Sequence, residues 1–391
     1  MLKNKKILLA VCGSIAFYKA YEILSLLKKQ GADVYVALSD GALKFCSIAG
    51  FEALSAHRVL SSQSEDWQAG VNHIAYAKMD LVLIAPASVN TINKLVSGVC
   101  DNVFMQTLIA ASAVPFVIAP AANDKMINHF ATQNSLEILK RNNASIVEPV
   151  SKILACGDEG KGGLNEPETI VYEAIRKLSE QKFKGKNVLV TGGATIEKID
   201  DIRAITNLSS GKMARALADA FYFAGANVTL AASFETRDLP YKVVKFRSSG
   251  ELLKICQDEC KNADLLVMCA AVSDYVSEEK FSGKLKKEEL GKQWSLKLVQ
   301  NLDILNELAK FSCKKIGFKM EFDPANAKQS AQKMLSNKGL DAVCLNVITD
   351  QNAFGSEVNE VIFITKNGEI QLKMAQKSEI AKQILDLTSK L

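Results

Sequence analysis

The stretch that decides the fold reads KNVLVTGGAT at 186–195 and TNLSSGKMAR at 206–215. The apolar run at 188–190 predicts a strand that stops at a glycine pair, and an apolar residue at every fourth position from Met213 to Phe221 predicts a helix. A strand, a glycine-containing turn and a helix form the first unit of an open parallel sheet. A new sheet therefore begins near the middle of the chain.

The start of the chain repeats this pattern, because the apolar run Ile7–Val11 ends at Cys12-Gly13-Ser14 before a helical pattern. Apolar runs alternate with helical patterns through both halves, which predicts two doubly wound parallel sheets whose ligands bind at the carboxyl ends of the strands. A hairpin signal at Asn367-Gly368 adds an antiparallel appendage to the second sheet. The predicted strands of the first half are Ile7–Val11, Val34–Leu38, Leu81–Ala85, Phe116–Ala119 and Ser145–Val147. Those of the second half are Val188–Thr191, Val228–Ala231, Val243–Phe246, Leu265–Ala270, Ile316–Phe318, Ala342–Leu345, Glu360–Thr365 and Glu369–Leu372.

Composition narrows the class of protein. The 391 residues are 48% hydrophobic, which is enough to bury two cores. The formal charge of +5 is small and is not gathered into a basic arm, so it indicates small anionic ligands and does not imply nucleic acid. The nine cysteines include no CxxC pair, the first apolar run is too short for a signal peptide, and no apolar segment approaches the roughly 18 residues of a membrane helix. We therefore expect a cytoplasmic protein with reduced thiols.

Small residues and hydroxyls follow the predicted strands of the first half. Gly13, Ser14, Ser39 and Ser88 each stand at such a strand end. Because amide groups and the dipole at a helix N-terminus favour a phosphate, the three strand ends together favour a phosphate-bearing mononucleotide cofactor. Each loop taken alone is equally consistent with a tight turn capped by serine.

Three further residues of the first half carry reactive or hydrogen-bonding groups. His73, one of three histidines in the chain, is a candidate acid, base or orienting group, although a lone loop histidine is more often plain surface. Asn123 follows the fourth predicted strand and could hold a carboxylate or an amide, or could cap a turn. Cys156 lies among four glycines, a composition that predicts a mobile loop with an exposed, reactive thiol.

The second half contains no histidine, so its chemistry should rest on positioning and charge. Its Ser210-Gly211-Lys212-Met213 turn fails the P-loop pattern, since Thr206 and Met213 occupy positions that need glycine and serine or threonine. The turn still offers amides, hydroxyls and a cation to a phosphate. The basic run 282–287, taken from its residues alone, indicates a solvated surface loop.

Together these motifs resemble a known family. GSIA at 13–16, PAANDKM at 120–126 and ACGD at 155–158 resemble the homo-oligomeric flavin-containing cysteine decarboxylases. NLSSGKM at 207–213 and AAVSDY at 270–275 resemble phosphopantothenate–cysteine ligase. Fused in this order, the halves are similar to the bifunctional phosphopantothenoylcysteine decarboxylase and phosphopantothenate–cysteine ligase of coenzyme A synthesis. The resemblance covers essentially the whole chain.

The resemblance implies an α/β fold class. The expected architecture is an N-terminal flavodoxin-like/Rossmann-like flavoprotein domain with a doubly wound parallel sheet, followed by a second Rossmann-like α/β domain with an antiparallel appendage. Residues 1–182 would form an FMN-dependent decarboxylase domain and residues 183–391 a CTP-dependent ligase domain. The resemblance also implies small-molecule substrates, a homo-oligomer of flavin-domain trimers joined by ligase-domain dimers, and neither nucleic acid nor membrane as a partner.

Site residues follow from the resemblance by position. In the first half it implies FMN binding by Gly13, Ser14, Ser39 and Ser88, and catalytic roles for His73, for Asn123 on the substrate carboxylate and for Cys156 as proton donor. In the second half, CTP would activate 4'-phosphopantothenate as an acyl-cytidylate that cysteine then attacks. The implied catalytic residues there are Asn207 and Lys284, and the implied nucleotide and substrate contacts are Arg203, Ser210, Gly211, Lys212, Ala270, Ala271, Asp274, Lys284 and Phe318. Mg²⁺ would be held mainly by the CTP phosphates, and its protein ligands stay unassigned.

The chain departs from the family pattern at four positions. Ala122 and Ile127 stand where the pattern has methionine and tryptophan, and Leu302 and Val347 replace a proline and an aspartate. Three alternatives remain: a chain whose ligase half alone is active, a flavin-binding regulatory subunit, and an NAD(P)-dependent oxidoreductase on two Rossmann sheets. The missing GxGxxG spacing in both halves argues against the last, and bound flavin would discriminate.

Overall fold

The computed structural model describes residues 1–153, 157, 159–279, 281–349 and 351–391. By its internal contacts the chain divides into two compact units, Met1–Ser179 and Glu180–Leu391. Each unit has a parallel sheet of its own, and each is described by itself.

A parallel sheet forms the centre of the first unit. The strands of this unit are β1 (Lys6–Val11), β2 (Asp33–Leu38), β3 (Leu81–Ala87), β4 (Phe116–Pro120), β5 (Ser145–Ile146), β6 (Val150–Ile153) and β7 (Glu159–Gly163). The order in the parallel sheet is β2-β1-β3-β4-β5, which is the flavodoxin-like order. The strands β1 and β3 are central and apolar on both faces, because helices cover both sides of such a sheet. The pair β6 and β7 forms a separate antiparallel hairpin that the sequence did not predict.

Helices cover the first sheet. They are α1 (Lys19–Lys29), α2 (Ile48–Ser55), α3 (His73–Tyr76), α4 (Val89–Ser97), α5 (Val103–Ala110), α6 (Asp124–Ile127), α7 (Phe130–Arg141) and α8 (Pro167–Leu178), with short 3-10 helices at Ile15–Tyr18 and Ala42–Lys44. In one core cluster Leu8 of β1 and Ile84 of β3 pack with Phe104 and Leu108 of α5. The helix α1 buries the apolar residues at its 3.6-residue period and packs on α8.

A longer sheet organises the second unit. Its strands are β8 (Asn187–Gly192), β9 (Ile196–Lys198), β10 (Ala204–Thr206), β11 (Asn227–Ala232), β12 (Lys242–Lys245), β13 (Leu265–Met268), β14 (Tyr275–Ser277), β15 (Leu298–Gln300), β16 (Lys314–Glu321), β17 (Ala342–Val347), β18 (Val358–Thr365) and β19 (Gly368–Gln376). The main sheet runs β12-β11-β8-β13-β16-β17-β18-β19. Its parallel part from β12 to β17 has the strand order of a dinucleotide-binding fold, and β18 and β19 add the predicted antiparallel appendage. The pairs β9–β10 and β14–β15 form small antiparallel sheets that the sequence did not predict.

The helices of the second unit complete its layers. They are α9 (Lys212–Phe223), α10 (Ser249–Glu259), α11 (Lys287–Leu290), α12 (Ile304–Glu307), α13 (Pro324–Asn337) and α14 (Lys377–Thr388). In one core cluster Leu266 of β13 and Val343 of β17 pack with Leu252 of α10 and Leu335 of α13. The α/β class and both predicted sheets are confirmed. Within the described ranges, no helix is both long and apolar enough to cross a membrane.

Candidate active sites

A cavity of about 970 Å³ opens at the carboxyl ends of the strands of the first unit. Its walls include the loops that follow β1, β2, β3 and β4. These loops lie together because the carboxyl ends of parallel strands share one edge of a sheet. A volume of this size is typical of sites for small molecules and cofactors. The predicted site residues that line it are Gly13, Ser14, Ser39, Ser88 and Asn123.

The serine hydroxyls of this cavity also cap the turns that carry them. Each Oγ accepts a backbone N–H two or three residues ahead, at 3.3 Å for Ser14, 3.2 Å for Ser39 and 3.3 Å for Ser88. A serine hydroxyl is both a donor and an acceptor, so accepting one amide leaves its proton to be donated elsewhere. Ser88 donates its proton to Thr91 Oγ1 at 3.2 Å, whereas capping leaves the protons of the other two hydroxyls available. Turn capping and ligand binding are therefore compatible in these loops.

Gly13 brings two of the loops together. A Cβ built at Gly13 would lie 2.7 Å from the carbonyl carbon of Gly41, which is closer than carbon atoms can approach. Any side chain at this position would therefore separate the loop after β1 from the loop after β2. Because both loops line the cavity, Gly13 sets the shape of its wall by close packing.

Asn123 stands on the turn between β4 and α6. Its Oδ1 caps α6 by accepting a backbone amide at 3.0 Å. The hairpin β6–β7 docks on the same turn, since Ala122 N donates to Gly162 O at 3.1 Å and Lys161 N donates to Asp124 Oδ1 at 3.0 Å. This docking fixes the base of the hairpin beside the asparagine.

Cys156 lies outside the described residues, between β6 and β7 in the sequence. The described residues on its two sides reach the cavity, because Lys152 and Ile153 of β6 and Gly162 and Gly163 of β7 line it. The strands before and after this segment in the sequence, β6 and β7, therefore both contribute described residues to the cavity wall.

His73 does not line this cavity. It is the first residue of α3, and its Nδ1 lies 3.9 Å from Glu65 Oε1. The ring of Trp67 meets the imidazole edge-on with 5.3 Å between ring centres. The Nδ1 atom is buried and has no hydrogen-bond partner within the described part of the chain. The structure thus does not bring His73 together with Asn123.

The second unit has a cavity of about 980 Å³ at the carboxyl ends of β13, β16 and β17. The start of α9 forms part of its wall. Gly211 caps that helix with a positive φ of 71°. A Cβ at Gly211 would lie 2.1 Å from the ring of Phe234, so glycine is required on both grounds. The predicted site residues that line the cavity are Asn207, Ser210, Gly211, Lys212, Ala270, Ala271, Asp274 and Phe318.

Two lysines approach each other at one wall of the second cavity. Lys212 Nζ donates to Gly355 O at 2.7 Å and also donates to the carboxylate of Glu357. The bond to Glu357 holds the pKa of that carboxyl below its usual range. Lys377 Nζ donates to Ser356 O. Partial burial, and secondarily the charge of Lys212, lower the pKa of Lys377. The lowered pKa marks this wall as a place where an added anion would be stabilised.

Asn207 is fixed to the cavity wall by its side-chain amide. Its Nδ2 donates to Val272 O at 3.0 Å, and both residues line the cavity. The bond links the loop before α9 to the loop after β13.

Two of the departures from the family pattern lie at the sites, since Ala122 lines the first cavity and Leu302 lines the second. A third, Ile127, is buried in the first unit.

Several lining residues of the second cavity escaped the sequence analysis. Lys377, Asn346, Asn352 and Asn359 line it, and the three asparagines are buried. Asn359 had a readable signal, because strand alternation places it on the face of β18 that carries buried apolar residues. A polar side chain on a core-facing strand position is unusual and indicates a buried hydrogen-bond network or a site.

Arg203 and Lys284 do not line the second cavity. The Arg203 guanidinium pairs instead with Asp200, with 2.9 Å from Nε and 2.6 Å from Nη2 to the same carboxylate oxygen. Lys284 is exposed and makes no hydrogen bond or ion pair among the residues that the structure describes. The structure therefore separates these two predicted residues from the group around Lys212.

Two family models match the sequence. The model described as flavoprotein matches residues 1–179, and the model described as DNA/pantothenate metabolism flavoprotein C-terminal domain matches residues 183–391. Together they span both units of the structure.

Similar proteins extend over the same length. The coenzyme A biosynthesis bifunctional protein CoaBC of Bacillus subtilis (strain 168) is 35% identical, over 98% of this chain and 97% of that protein. The CoaBC protein of Haemophilus influenzae is 34% identical, over 98% of this chain and 97% of that protein. Among solved structures, the C-terminal domain of a coenzyme A biosynthesis bifunctional protein CoaBC is 28% identical, covers 54% of this chain and 97% of that chain, and has a TM-score of 0.45. Because the identity to the two full-length relatives runs through both halves, the chain belongs to the family of bifunctional coenzyme A biosynthesis proteins CoaBC.

Proposed function

We propose that the chain performs two consecutive steps of coenzyme A biosynthesis. The first is CTP-dependent ligation of cysteine to 4'-phosphopantothenate, and the second is FMN-dependent decarboxylation of the product to 4'-phosphopantetheine. The observation that carries the proposal is the presence of two cavities, each at the carboxyl ends of a sheet and each lined by family-assigned residues. We assign the decarboxylase to residues 1–182 and the ligase to residues 183–391, and we place the enzyme in the cytoplasm.

The ligase cavity suits a substrate that carries several phosphates. The N-terminus of α9, Lys212 and Lys377 offer amides and cations at one wall, where phosphates gain most from hydrogen bonds and charge. Asn207, held by its bond to Val272, would orient the substrate carboxylate for its attack on the α-phosphate of CTP, which releases pyrophosphate. It would then hold the acyl-cytidylate while the amine of cysteine attacks the acyl carbon and CMP leaves. The remaining contacts to nucleotide and substrate would come from Arg203, Ser210, Gly211, Ala270, Ala271, Asp274 and Phe318, with Lys284 closing over the triphosphate. Mg²⁺ would be held mainly by the CTP phosphates and would neutralise their charge.

The first cavity fits a mononucleotide such as FMN. Its size matches, and the Ser14 and Ser39 hydroxyls at strand ends keep donor protons for a phosphate. Gly13 keeps two of these loops in contact, and Ser88 caps α4 at a third strand end. When bound, FMN would supply a reversible two-electron oxidation at the substrate's thiol, which creates an acceptor for the electron pair that stays on the substrate when CO₂ leaves.

The chain's own groups would bind the substrate and move its protons. Asn123 would hold the substrate carboxylate before it leaves, from a turn that is fixed by the β6–β7 hairpin. Cys156 would donate a proton to the carbon that has lost CO₂, and the strands before and after it reach the cavity wall. His73, whose Nδ1 lies near Glu65, would act as an acid, a base or an orienting group.

Self-association would complete the first site. Because His73 lies outside the cavity lining, we place it at the cavity of a neighbouring copy. Exposed apolar side chains surround both features, with Tyr18 and Ile153 at the cavity and Trp67 and Ile74 beside the histidine. Flavin-domain trimers joined by ligase-domain dimers would cover such surfaces. Sedimentation equilibrium that shows a clean monomer at micromolar concentration would exclude this arrangement.

The test of the proposed function uses the purified full-length chain with 4'-phosphopantothenate, CTP, Mg²⁺ and cysteine, followed by mass spectrometry of the products. We expect 4'-phosphopantetheine together with CMP, pyrophosphate and CO₂. Phosphopantothenoylcysteine alone would mean that only the ligase works, and no reaction would overturn the proposal. A bound nicotinamide nucleotide in place of flavin would favour the oxidoreductase alternative.

Two variants separate the half-reactions. Cys156→Ser should stop the reaction after CO₂ has left, so that a decarboxylated but still oxidised product accumulates in place of 4'-phosphopantetheine. Cys100→Ser, at an exposed cysteine, should behave like the unaltered protein. Asn207→Ala should stop turnover of 4'-phosphopantothenate but should still decarboxylate added phosphopantothenoylcysteine. Asn337→Ala, at the exposed end of α13, is the matched control for the asparagine.

A further inference from the structure

The segment that carries Lys284 is bound to a turn elsewhere in the second unit. We call residues 281–286 the Lys284 segment and residues 199–203, which join β9 to β10, the 199–203 turn. Phe281 N donates to Ile199 O at 3.0 Å. This backbone contact is the first of several between the two segments.

Asp201 holds the residue before Lys284. Its Oδ2 accepts the amide of Gly283 at 2.7 Å, and its own amide lies 3.3 Å from Gly283 O. Both backbone groups of Gly283 are therefore engaged by one residue of the 199–203 turn.

Asp200 and Arg203 hold the residue after Lys284. The amide of Leu285 donates to Asp200 Oδ2 at 3.3 Å, and Arg203 Nη2 donates to Leu285 O at 2.9 Å. The backbone is thus fixed on each side of Lys284, while the lysine side chain stays exposed.

The 199–203 turn is held together by hydrogen bonds of its own, centred on Asp200. The side chain of Asp200 is 0% exposed and also accepts the amides of Ile202 and Arg203, at 2.8 Å and 2.6 Å. The hydrogen bonds from the Arg203 side chain hold the pKa of the Asp200 carboxyl well below its usual range. The guanidinium also lies 5.2 Å from the ring centre of Trp294.

The hairpin formed by β9, the 199–203 turn and β10 leads to the ligase cavity. After the 199–203 turn the chain continues through β10 to Asn207, which lines the cavity. The 199–203 turn is therefore a short connection between the cavity wall and the Lys284 segment.

We infer that Asp200, Asp201 and Arg203 are positioning residues for the ligase reaction, which they serve by fixing the backbone on both sides of Lys284. This assignment replaces the direct nucleotide contact proposed for Arg203, which does not line the cavity and acts instead through Lys284. The inference rests on the proposed function, and it requires that the exposed Lys284 side chain reaches over the triphosphate while its backbone stays where the 199–203 turn holds it. A group held to within a fraction of an ångström reacts faster than one on a loose loop, so loss of the support should lower kcat more than it raises KM.

The test is a double-mutant cycle on the full-length enzyme, with ligase kcat and KM as readouts. Asp201→Ala is the preferred change, because its side chain is 61% exposed and its removal leaves no buried charge. We expect Lys284→Met to lower kcat by more than tenfold and Asp201→Ala to lower it by roughly tenfold. Because the effect of Asp201 passes through Lys284, the double variant should match Lys284→Met within about twofold.

Controls and contrary outcomes are distinct. Lys286→Met and Asp238→Ala change exposed residues of the same types and should leave kcat unchanged. Multiplicative losses in the double variant would overturn the inference while leaving the role of Lys284 in place. If Lys284→Met itself has no effect, that part of the proposed function is wrong and the inference falls with it.

Hydrogen exchange gives a readout that does not depend on activity. Asp201→Ala should speed exchange of the Gly283 and Leu285 amides relative to the unaltered enzyme and to Asp238→Ala. Unchanged exchange at both amides would overturn the inference, whatever the kinetics show. Thermal unfolding of each variant identifies any that fail to fold. Arg203→Lys keeps the positive charge, so this variant, if it folds, should keep part of the contribution that Arg203 makes to the ligase kcat.

Discussion

Asn352 offers a sharp test of how the ligase cavity is held open. Its Oδ1 accepts the amide and the hydroxyl of Thr349 at 2.6 Å and 3.0 Å. Its Nδ2 donates to Asn346 Oδ1 at 3.1 Å and to Val347 O at 2.9 Å. The side chain is buried and joins the end of β17 to the loop that leads into β18, so Asn352→Ala should loosen one wall of the cavity.

The size of the effect follows from the partners that are left behind. Asn346 is only 8% exposed, so its oxygen loses a donor in a place that water reaches poorly. One buried polar group without a partner costs about 1–3 kcal/mol, and each of the other lost bonds contributes about 0.5–1.5 kcal/mol where water does not replace it. Since the backbone partners lie next to the cavity and can bind water, we expect a total loss of about 2–4 kcal/mol in the free energy of unfolding.

The assay can isolate the second unit, because the chain has only two tryptophans, Trp67 and Trp294, and they lie in different units. In a Trp67→Phe background, the fluorescence of Trp294 reports urea unfolding of the second unit. Asn352→Ala should shift the urea midpoint by about 1 M, whereas the exposed control Asn337→Ala should shift it little.

Catalysis supplies a second readout of the same change. The KM for CTP should rise in Asn352→Ala, while decarboxylation of added phosphopantothenoylcysteine should stay unchanged, because that reaction belongs to the other unit. A destabilisation below about 0.5 kcal/mol would refute the reasoning, since it would mean that water fully replaces the network.

Three further predictions concern other parts of the chain. Burial raises the pKa of Tyr76 from its ordinary 10.0 to about 12, so the folded state keeps this proton when the unfolded chain loses it. The associated stability is complete below pH 10 and is lost as the pH rises toward 12, and Tyr76→Phe should flatten that slope in urea midpoints measured from pH 9 to 11.5. Gly13→Ala should abolish flavin absorbance in the purified protein, because the added methyl group collides with Gly41, and full flavin occupancy would contradict this. Lys377→Met should raise the KM for the phosphate-bearing substrates by about 10- to 100-fold, as expected for a lost charge-assisted hydrogen bond, whereas Lys382→Met on the same helix should not.

Local patterns in the sequence determined both sheets. Strands such as β1 and β8 are apolar on both faces, and the helices that follow them keep a 3.6-residue period. Because carboxyl ends of parallel strands meet at one edge, the same patterns brought Ser14, Ser39 and Ser88 to one cavity. The strand ends that line this cavity could therefore be predicted without any knowledge of packing.

Short and exposed elements could not be predicted in this way. The strands β9, β10, β14 and β15 each have three residues, which is too short for alternation to stand out. They are stabilised by pairing with one another in two separate two-stranded sheets, so their signal lies outside their own sequence. The hydrogen bonds from the 199–203 turn to the Lys284 segment depend on these elements, so they could not be predicted from the sequence either.

The sequence by itself determined the class of fold, the division into two α/β halves and the strand-end loops that line the first cavity, since these depend on periodicity within a few residues. Only the tertiary structure decided which charged groups meet. Lys377 approaches Lys212 because α14 begins where β19 ends, and Lys212 pairs with Glu357, which lies 145 residues further along the chain. Such pairings are set by the packing of elements far apart in the chain, and local sequence carries no record of that distance.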